Sequence, residues 1–169
     1  MNAPQAANAT ARKAIEFTLN GQTVRLDAAP NDTLLHTLRY GAAATEVKSG
    51  CDRGDCGACA VLIDGRAVNS CLTLAAQVAG KSITTVRGLG DPDRPHPLQA
   101  EFLGRGAAQC GICIPGMLVS LCAFLVEHPT ATRDELRSAV SGNLCRCTGY
   151  QKIIDAAEAA ARQLQGARA

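Results

Sequence analysis

Nine cysteines are the residues of this chain whose type and spacing could do chemistry, and four of them fall in the first half. The run CDRGDCGAC places thiols at Cys51, Cys56 and Cys59, and a fourth follows after eleven residues at Cys71. This C-x4-C-x2-C spacing with a distant fourth cysteine is typical of plant-type [2Fe–2S] proteins. Four thiolates must converge on two irons, so three of them come from one tight loop. Glycines inside the loop can take positive φ and turn backbone N–H groups toward anionic sulfur.

A zinc site and a disulfide knot are the alternatives for this first set. Zinc sites favour paired C-x2–4-C knuckles, and here only Cys56 and Cys59 form one. Many cysteines in a short secreted chain would indicate a disulfide framework. The opening residues MNAPQAAN contain no basic n-region, apolar h-region or twin arginine. We therefore expect a reducing cytoplasm in which the thiolates bind metal.

A second cysteine set occupies the other half of the chain. Cys110 and Cys113 form a C-x2-C pair, and Cys145 and Cys147 form a C-x-C pair further on. Each pair lies in a loop before a predicted helix, so helix packing could bring the four thiols together. This spacing fits zinc or a disulfide as well as an iron–sulfur cluster. The ninth cysteine, Cys122, lies on the apolar face of a predicted helix, and we expect a buried structural thiol there.

Strand signals dominate residues 14 to 87. Alternating apolar residues on both sides of Asn20-Gly21 predict a β-hairpin with a type I′ turn. The other predicted elements are a short helix capped by Asp32 or Thr33, strands over Ala60–Ile63 and up to Val68 around an Asp64-Gly65 turn, and a last strand over Ile83–Val86. Strands, one crossing helix and a cysteine loop make a small α+β domain.

Helical periodicity replaces this pattern after a Gly- and Pro-rich linker, residues 88–97. The predicted helices are Leu98 to Gly104, Pro115 to about His128, one that starts at a Thr132/Glu135 capping box and stops near Gly142, and Tyr150 to Leu164. The predicted organisation is thus a disordered N-terminus (1–13), a sheet domain (14–87), the linker (88–97) and a small helical bundle (98–165).

Composition and charge narrow the function further. Apolar residues make up 47% of the chain and the net charge is +2, so nothing indicates nucleic acid or a membrane surface. No apolar run approaches the ~20 residues that a membrane span needs. Isolated histidines (His36, His96, His128) predict packing or surface roles, and no residue suits a catalytic acid, base or nucleophile. Arg53 and Arg146 flank cysteines and either offset a cluster's negative charge or are simply exposed.

Three blocks of sequence together resemble one family. They are CDRGDCGACAVL from Cys51 with the later DG and SCL, QCGICIPGM from Gln109, and SGNLCRCTGY from Ser141. They resemble the small iron–sulfur subunit of the molybdenum hydroxylases, the xanthine oxidase family. That family includes bacterial carbon monoxide dehydrogenase, isoquinoline oxidoreductase and 4-hydroxybenzoyl-CoA reductase. The resemblance covers residues 14 to 160.

The resemblance implies an α+β protein in which a plant-ferredoxin-like β-grasp domain precedes a small four-helix-bundle domain, each with one [2Fe–2S] cluster. It implies that Cys51 and Cys56 bind one iron of the first cluster, and Cys59 and Cys71 the other. The ligands it implies for the second cluster, which lies nearer the molybdopterin in this family, are Cys110, Cys113, Cys145 and Cys147. Gln109 falls where the family places a glutamine that hydrogen-bonds the pterin, and Cys147 is the ligand closest to that cofactor.

The resemblance also implies a function and partners. The chain would relay single electrons between a molybdopterin site, with the cofactor as its cytosine dinucleotide, and FAD. The chain has no flavin or molybdenum domain, so we expect a large molybdopterin-binding subunit and a medium FAD-binding subunit in a heterotrimer or its dimer. The substrate would be an N-heteroaromatic compound or an aldehyde. Ile112, Ile114 and Ala60 depart from residues frequent in the family, so no subfamily is assigned.

Other functions stay open on the residues alone. The same relay could serve an aromatic acyl-CoA reductase or carbon monoxide dehydrogenase. A free-standing [2Fe–2S] electron carrier would be expected to have a strongly acidic docking surface, which the balanced charge argues against. A zinc-stapled interaction module is the third class.

Overall fold

The computed structural model describes residues 12–167 of the chain. The predicted disordered segment, residues 1–13, lies outside the described residues except for Arg12 and Lys13. Lys13 begins the first strand. Among residues 12–167, no helix is both long enough and apolar enough to cross a membrane.

The first half of the chain folds into a five-stranded mixed sheet. Its strands are β1 (Lys13–Leu19), β2 (Gln22–Ala28), β3 (Ala60–Ile63), β4 (Arg66–Asn69) and β5 (Ser82–Thr84). The order across the sheet is β2-β1-β5-β3-β4, with β1 and β5 parallel and the other neighbours antiparallel. Both predicted hairpins are confirmed. Asn20 and Gly21 have φ of 50° and 84°, the positive values that a type I′ turn requires.

The last strand ends earlier than the sequence predicted. The prediction of a strand over Ile83–Val86 is wrong at its end, because β5 stops at Thr84. The N–H of Thr85 donates to Oδ1 of Asn20 at 2.8 Å instead of joining the sheet. The Thr85 hydroxyl then accepts from the N–H of Arg87 and starts a short 3-10 turn, Val86–Gly88. A side chain from the first hairpin therefore ends the strand.

One short helix packs across the sheet, as predicted. Helix α1 (Leu34–His36) starts at Thr33, whose hydroxyl accepts from the N–H of His36 at 3.2 Å. It continues as a π-helical turn, Thr37–Gly41. Asp32 does not cap the helix, since its carboxylate accepts from the N–H of Ala29. The helix and sheet share a buried core that includes Phe17, Leu34, Leu38, Val61 and Ile83.

Four helices form the second half. They are α2 (Pro97–Gly104), α3 (Ile114–Glu127), α4 (Arg133–Ala139) and α5 (Gln151–Gly166). The predicted capping box at Thr132 and Glu135 is present, but α4 ends at Ala139 and not near Gly142. Four of the buried alanines of α5 belong to the core that the four helices share: Ala156, Ala157, Ala160 and Ala161. The predicted α+β class, with a sheet domain followed by a helical domain, is confirmed.

Each half has its own hydrophobic core, and a small apolar contact joins them. Ala60 and Leu62 of β3 pack against Val119 of α3, which is fully buried. Gly116 of α3 lies so close to the backbone of Gly57 and Ala58 that a Cβ at this position would collide with the carbonyl oxygen of Gly57. The helical half therefore contacts the sheet domain right beside the first cysteine loop.

Candidate metal centres

The first cysteine set comes from an irregular loop before β3 and from the short turn that follows β4. The loop contributes Cys51, Cys56 and Cys59, and the turn Ser70–Leu72 contributes Cys71. The thiols influence one another as two pairs: the Cys56 thiol acts to lower the pKa of Cys51, and the Cys59 thiol acts to raise the pKa of Cys71. These are the same pairs that the resemblance assigns to one iron each.

The electrostatics of the first set suit a bound thiolate at its outer edge. Backbone N–H groups of Arg53 and Cys56 point at the sulfur of Cys51 and lower the pKa of that thiol to about 7. Burial raises the pKa of Cys71 to about 12, and its contact with Cys59 adds to the rise. The inner thiol of Cys71 therefore needs a positive metal ion to become a thiolate near neutral pH.

The side chain of Asn69, for which the sequence predicts no role, fixes this loop. Nδ2 of Asn69, at the end of β4, donates to the carbonyl oxygen of Gly54 at 3.1 Å. Oδ1 of the same residue lies 4.0 Å from Sγ of Cys59. Gly54 has φ of +89°, and a Cβ there would come within 2.5 Å of Cδ1 of Leu72. Asn69 therefore fixes the loop at a residue whose backbone conformation strongly favours glycine.

The second cysteine set joins two loops of the helical half. Cys113 immediately precedes α3 and is buried, whereas Cys110 is exposed. Cys145 and Cys147 lie between α4 and α5. Sγ of Cys147 is 3.5 Å from Sγ of Cys110, and the Cys145 thiol is close enough to raise the pKa of Cys113. Helix packing thus brings all four predicted thiols together.

Hydrogen bonds and burial again act in opposite directions within the set. The N–H of Ile112 lowers the pKa of Cys110, whereas burial raises the pKa of Cys113 to about 12. Burial also acts to raise the pKa of Cys145. The hydrogen bonds from Thr148 and Cys147 outweigh it and leave that pKa below the ordinary thiol value. Oγ1 of Thr148 lies 3.0 Å from the Cys145 sulfur.

The donor chemistry of both sets fits a [2Fe–2S] cluster. In such a cluster each iron takes two protein thiolates, so one cluster needs four thiols. Each set supplies four thiols, and backbone N–H groups lie beside an outer sulfur in each, at Cys51 and at Cys110.

The two cysteine loops contact each other directly. The N–H of Leu144 donates to the carbonyl oxygen of Cys56 at 2.9 Å. Nδ2 of Asn143, which is buried, donates to the carbonyl oxygen of Gly57 at 3.1 Å. Leu144 immediately precedes Cys145, so a hydrogen bond connects a residue of the first set with the neighbour of one in the second.

The other candidate residues from the sequence are Gln109, Arg53, Arg146 and Cys122. Gln109 is exposed, next to the exposed Cys110. Arg53 forms an ion pair with Asp55 at 2.6 Å, and Arg146 is exposed. Cys122 is part of neither set. Its sulfur lies 4.0 Å from Nε2 of His96, and burial raises its pKa.

The three histidines have structural contacts. His36 stacks on Tyr40 with 4.9 Å between ring centroids, and His128 stacks on Phe124 at 4.6 Å. Nδ1 of His96 accepts from the N–H of Leu98 and so caps α2. None of the three touches a cysteine of either set, in keeping with their predicted packing or surface roles.

Four polar side chains around the cysteines were not assigned any role from the sequence. They are Asn69, Asn143, Thr148 and Tyr150. Asn143, Thr148 and Tyr150 lie in the SGNLCRCTGY block, which is part of the family resemblance. The resemblance implies no chemical role for these three side chains. Asn69 had no signal beyond its place two residues before Cys71.

Comparisons with known proteins agree with this architecture. Residues 17–83 match the family described as "2Fe-2S iron-sulfur cluster binding domain", and residues 85–158 match the "[2Fe-2S] binding domain". The chain therefore has two [2Fe–2S]-binding domains, one for each cysteine set.

Individual relatives cover most of the chain. The aldehyde oxidoreductase iron-sulfur-binding subunit PaoA of Escherichia coli K12 is 41% identical over 96% of this chain and 77% of its own length. The nicotine 6-hydroxylase small subunit of Paenarthrobacter nicotinovorans is 48% identical over 86% of this chain and 87% of its own. The crystal structure of quinoline 2-oxidoreductase from Pseudomonas putida 86 superposes with a TM-score of 0.87 at 42% identity, over 94% of this chain and 99% of that one. With two [2Fe–2S]-binding domains in this order and relatives of this closeness, the chain belongs to the family of small iron–sulfur subunits of the molybdenum hydroxylases.

Proposed function

We propose that this chain relays single electrons between a molybdopterin site and FAD, both held by partner subunits. Membership of its family makes the chain an iron–sulfur electron-transfer subunit. What we add is the identity of the two groups between which the electrons pass. The observation that carries it is the direct bonding of the two cysteine loops, Leu144 to Cys56 and Asn143 to Gly57. Two separate binding modules would have no need of a shared backbone contact at their metal sites.

The cysteines of the two sets hold the metal in this proposal. Each [2Fe–2S] cluster, when bound, accepts and releases one electron at a time. The ligands would be Cys51, Cys56, Cys59 and Cys71 for the first cluster, and Cys110, Cys113, Cys145 and Cys147 for the second. The chain supplies N–H groups that stabilise the outer thiolates, at Cys51 and Cys110. Its buried inner thiols, at Cys71 and Cys113, are kept from water.

The second set faces outward and would meet the molybdopterin-binding large subunit. Cys110 and Cys147 are exposed. The apolar side chains beside them, Ile112 and Leu144, are 48% and 56% exposed. Exposed apolar residues around a functional group are typical of a surface that a partner covers. Gln109 would hydrogen-bond the pterin there, as the cytosine dinucleotide form, and Cys147 would be the ligand closest to it.

The FAD-binding medium subunit would then receive electrons from the first set, in a heterotrimer or its dimer. We propose an N-heteroaromatic compound or an aldehyde as the substrate, since the similar proteins are named for nicotine, quinoline and an aldehyde. Relays in an aromatic acyl-CoA reductase or in carbon monoxide dehydrogenase are the alternatives. Location in the cytoplasm stays a prediction from the thiol content.

Metal analysis and EPR spectroscopy of the purified full-length chain test this proposal. We expect four irons and four sulfides per chain and two distinct EPR signals after reduction, because the two sets have unlike surroundings. Two irons per chain, or zinc in the second set, would contradict it. Copurification of the chain with molybdopterin- and FAD-binding subunits tests the two ends of the relay. Absence of flavin from every copurifying chain would refute the FAD end.

A further inference from the structure

Tyr150 has a backbone conformation that tyrosine rarely adopts. It sits immediately before α5 with φ of 66° and ψ of −18°, in the left-handed region. Asn and Asp tolerate this region, whereas a bulky side chain there is a genuine outlier. Strained backbone at one residue must be compensated by contacts elsewhere, and such outliers are concentrated at functional sites. Tyr150 lies close to the second cysteine set.

The compensating contacts come from the phenol and the backbone of the same residue. Oη of Tyr150 accepts from the N–H of Cys145 at 2.7 Å and donates to the carbonyl oxygen of Asn143 at 2.9 Å. The N–H of Tyr150 donates to Oγ1 of Thr148 at 3.2 Å. That same oxygen lies 3.0 Å from the Cys145 sulfur. The side chain thus folds back and clamps the loop that carries Cys145.

The clamped segment is also the one that reaches the first cysteine set. Asn143 is only 3% exposed, and its side chain donates to the carbonyl oxygen of Gly57. The next residue, Leu144, donates its N–H to the carbonyl oxygen of Cys56. Tyr150 holds the two residues on either side of Leu144, through the carbonyl of one and the N–H of the other.

We propose that Tyr150 is a positioning residue of the electron relay. Its phenol oxygen accepts the hydrogen bond of the Cys145 N–H, so this N–H does not donate to a sulfur atom. The phenol also fixes the segment that bonds to the first cysteine loop. The clamp consists of protein hydrogen bonds alone, while its effect on electron transfer rests on the proposed function. Hydrogen bonds to cluster sulfurs stabilise the reduced, more negative state and are one of the factors that set the reduction potential.

The test is Tyr150→Phe in the full-length chain with its clusters, compared with Tyr40→Phe. The chain has only two tyrosines, and Tyr40 is 73% exposed, so Tyr40→Phe removes a phenol oxygen at a matched control site. Loss of the clamp should speed amide hydrogen exchange in residues 143–147 by about tenfold, measured by mass spectrometry. The reduction potential of the second cluster should rise, because the released N–H of Cys145 can turn to sulfur, while that of the first cluster stays unchanged. Tyr40→Phe should alter neither quantity.

Unchanged exchange and unchanged potentials in Tyr150→Phe would overturn the proposal, and so would equal shifts in both potentials. If Tyr150→Phe does not fold, 3-fluorotyrosine incorporated into Tyr40→Phe labels Tyr150 alone. Its phenol is a weaker acceptor, so the second potential should again rise, and no shift would overturn the proposal. Failure of the proposed function is a different outcome: the wild-type chain would lack two clusters, while the exchange experiment would still test the clamp.

Discussion

The N–H of Leu144 donates a 2.9 Å hydrogen bond to the carbonyl oxygen of Cys56. This bond completes a route from the sulfur of Cys56 to the sulfur of Cys145 that passes only through Cys56, Leu144 and Cys145. All the remaining steps of the route are covalent bonds. Electron tunnelling weakens steeply with distance and with each gap through space, so a route with a single hydrogen bond favours transfer between the two sets. The spacing of the two loops should therefore affect electron transfer as well as stability.

Gly57→Ala should separate the two loops. Gly57 has φ of +69°, and a Cβ there would come within 2.6 Å of Nδ2 of Asn143 and also collide with the carbonyl oxygen of Gly142. We expect a loss of about 1–3 kcal/mol from this overpacking, in addition to the strain of alanine at positive φ. The temperature at which visible cluster absorbance is lost should fall. Freeze-quench EPR should detect slower electron exchange between the clusters.

Gly65→Ala is the matched control for that variant. Gly65 has φ of +83° in the β3–β4 turn, but nothing lies within 4 Å of the Cβ that alanine would add. This variant carries the backbone strain without the steric conflict, so it should lose less stability and keep the rate between clusters unchanged. Equal effects of the two substitutions would mean that the loop contact at Gly57 has no special role.

Cys122→Ser should leave both clusters in place. The Cys122 thiol is half-buried against the helical core, and its sulfur lies 4.0 Å from Nε2 of His96. A hydroxyl in this apolar setting should cost about 1–3 kcal/mol of stability. Iron content and both EPR signals should match the wild type, whereas Cys145→Ser should lose the second signal alone. Loss of either signal in Cys122→Ser would show that the division into eight ligands and one structural thiol is wrong.

Local features of this fold could be predicted from the sequence because their causes lie within a few residues. Asn20-Gly21 specifies its turn through the positive φ of two adjacent residues, and the Thr132/Glu135 box lies within one helical turn. The end of β5 could not be predicted, because Asn20 takes the N–H of Thr85 from 65 positions away. The same holds for Asn143, whose partner Gly57 is 86 positions distant.

The same distinction between local and long-range contacts applies to the two cysteine sets. The three cysteines of the first loop are close in sequence, so their convergence was readable from spacing. The pairing of Cys110 with Cys147 depends on how the four helices of the second half pack around their shared core, and spacing alone left zinc and disulfides open for that set. The role of Tyr150 depends on a phenol that folds back over five residues, and no periodicity or motif encodes such a contact.

The capping box of α4 should make its stability pH-dependent. Two hydrogen bonds from Thr132 hold the pKa of Glu135 below its ordinary value near 4.5. The bond from the N–H has the larger effect, and the bond from the hydroxyl adds to it. Since the folded pKa is the lower one, the stabilisation is present above pH 4.5 and is lost as the pH falls through the folded pKa. Glu135→Gln should therefore unfold at a lower temperature than wild type at pH 7, and the difference should shrink in acid.

Thr132→Ala tests the other half of the same box. Removal of the N-cap hydroxyl should cost about 1 kcal/mol. Thr130→Ala, two residues earlier and exposed, should cost little. Thermal unfolding followed by helical circular dichroism checks both variants. A pH-independent gap between wild type and Glu135→Gln would indicate that the carboxylate charge has no part in the cap.

Gln109→Ala tests the order of the relay. Gln109 is exposed beside Cys110, where a bound large subunit would cover it. Loss of the proposed hydrogen bond from Gln109 to the pterin, a neutral one, should weaken the contact by about 0.5–1.5 kcal/mol, without loss of either cluster. In the assembled complex, stopped-flow absorbance should detect slower reduction by substrate and an unchanged rate of reoxidation through flavin. Gln22→Ala, at an exposed glutamine of the sheet domain, is the control and should change neither rate. If Gln109→Ala slowed only the flavin step, the second cluster would face FAD, and the places of the two clusters in the relay would have to be exchanged.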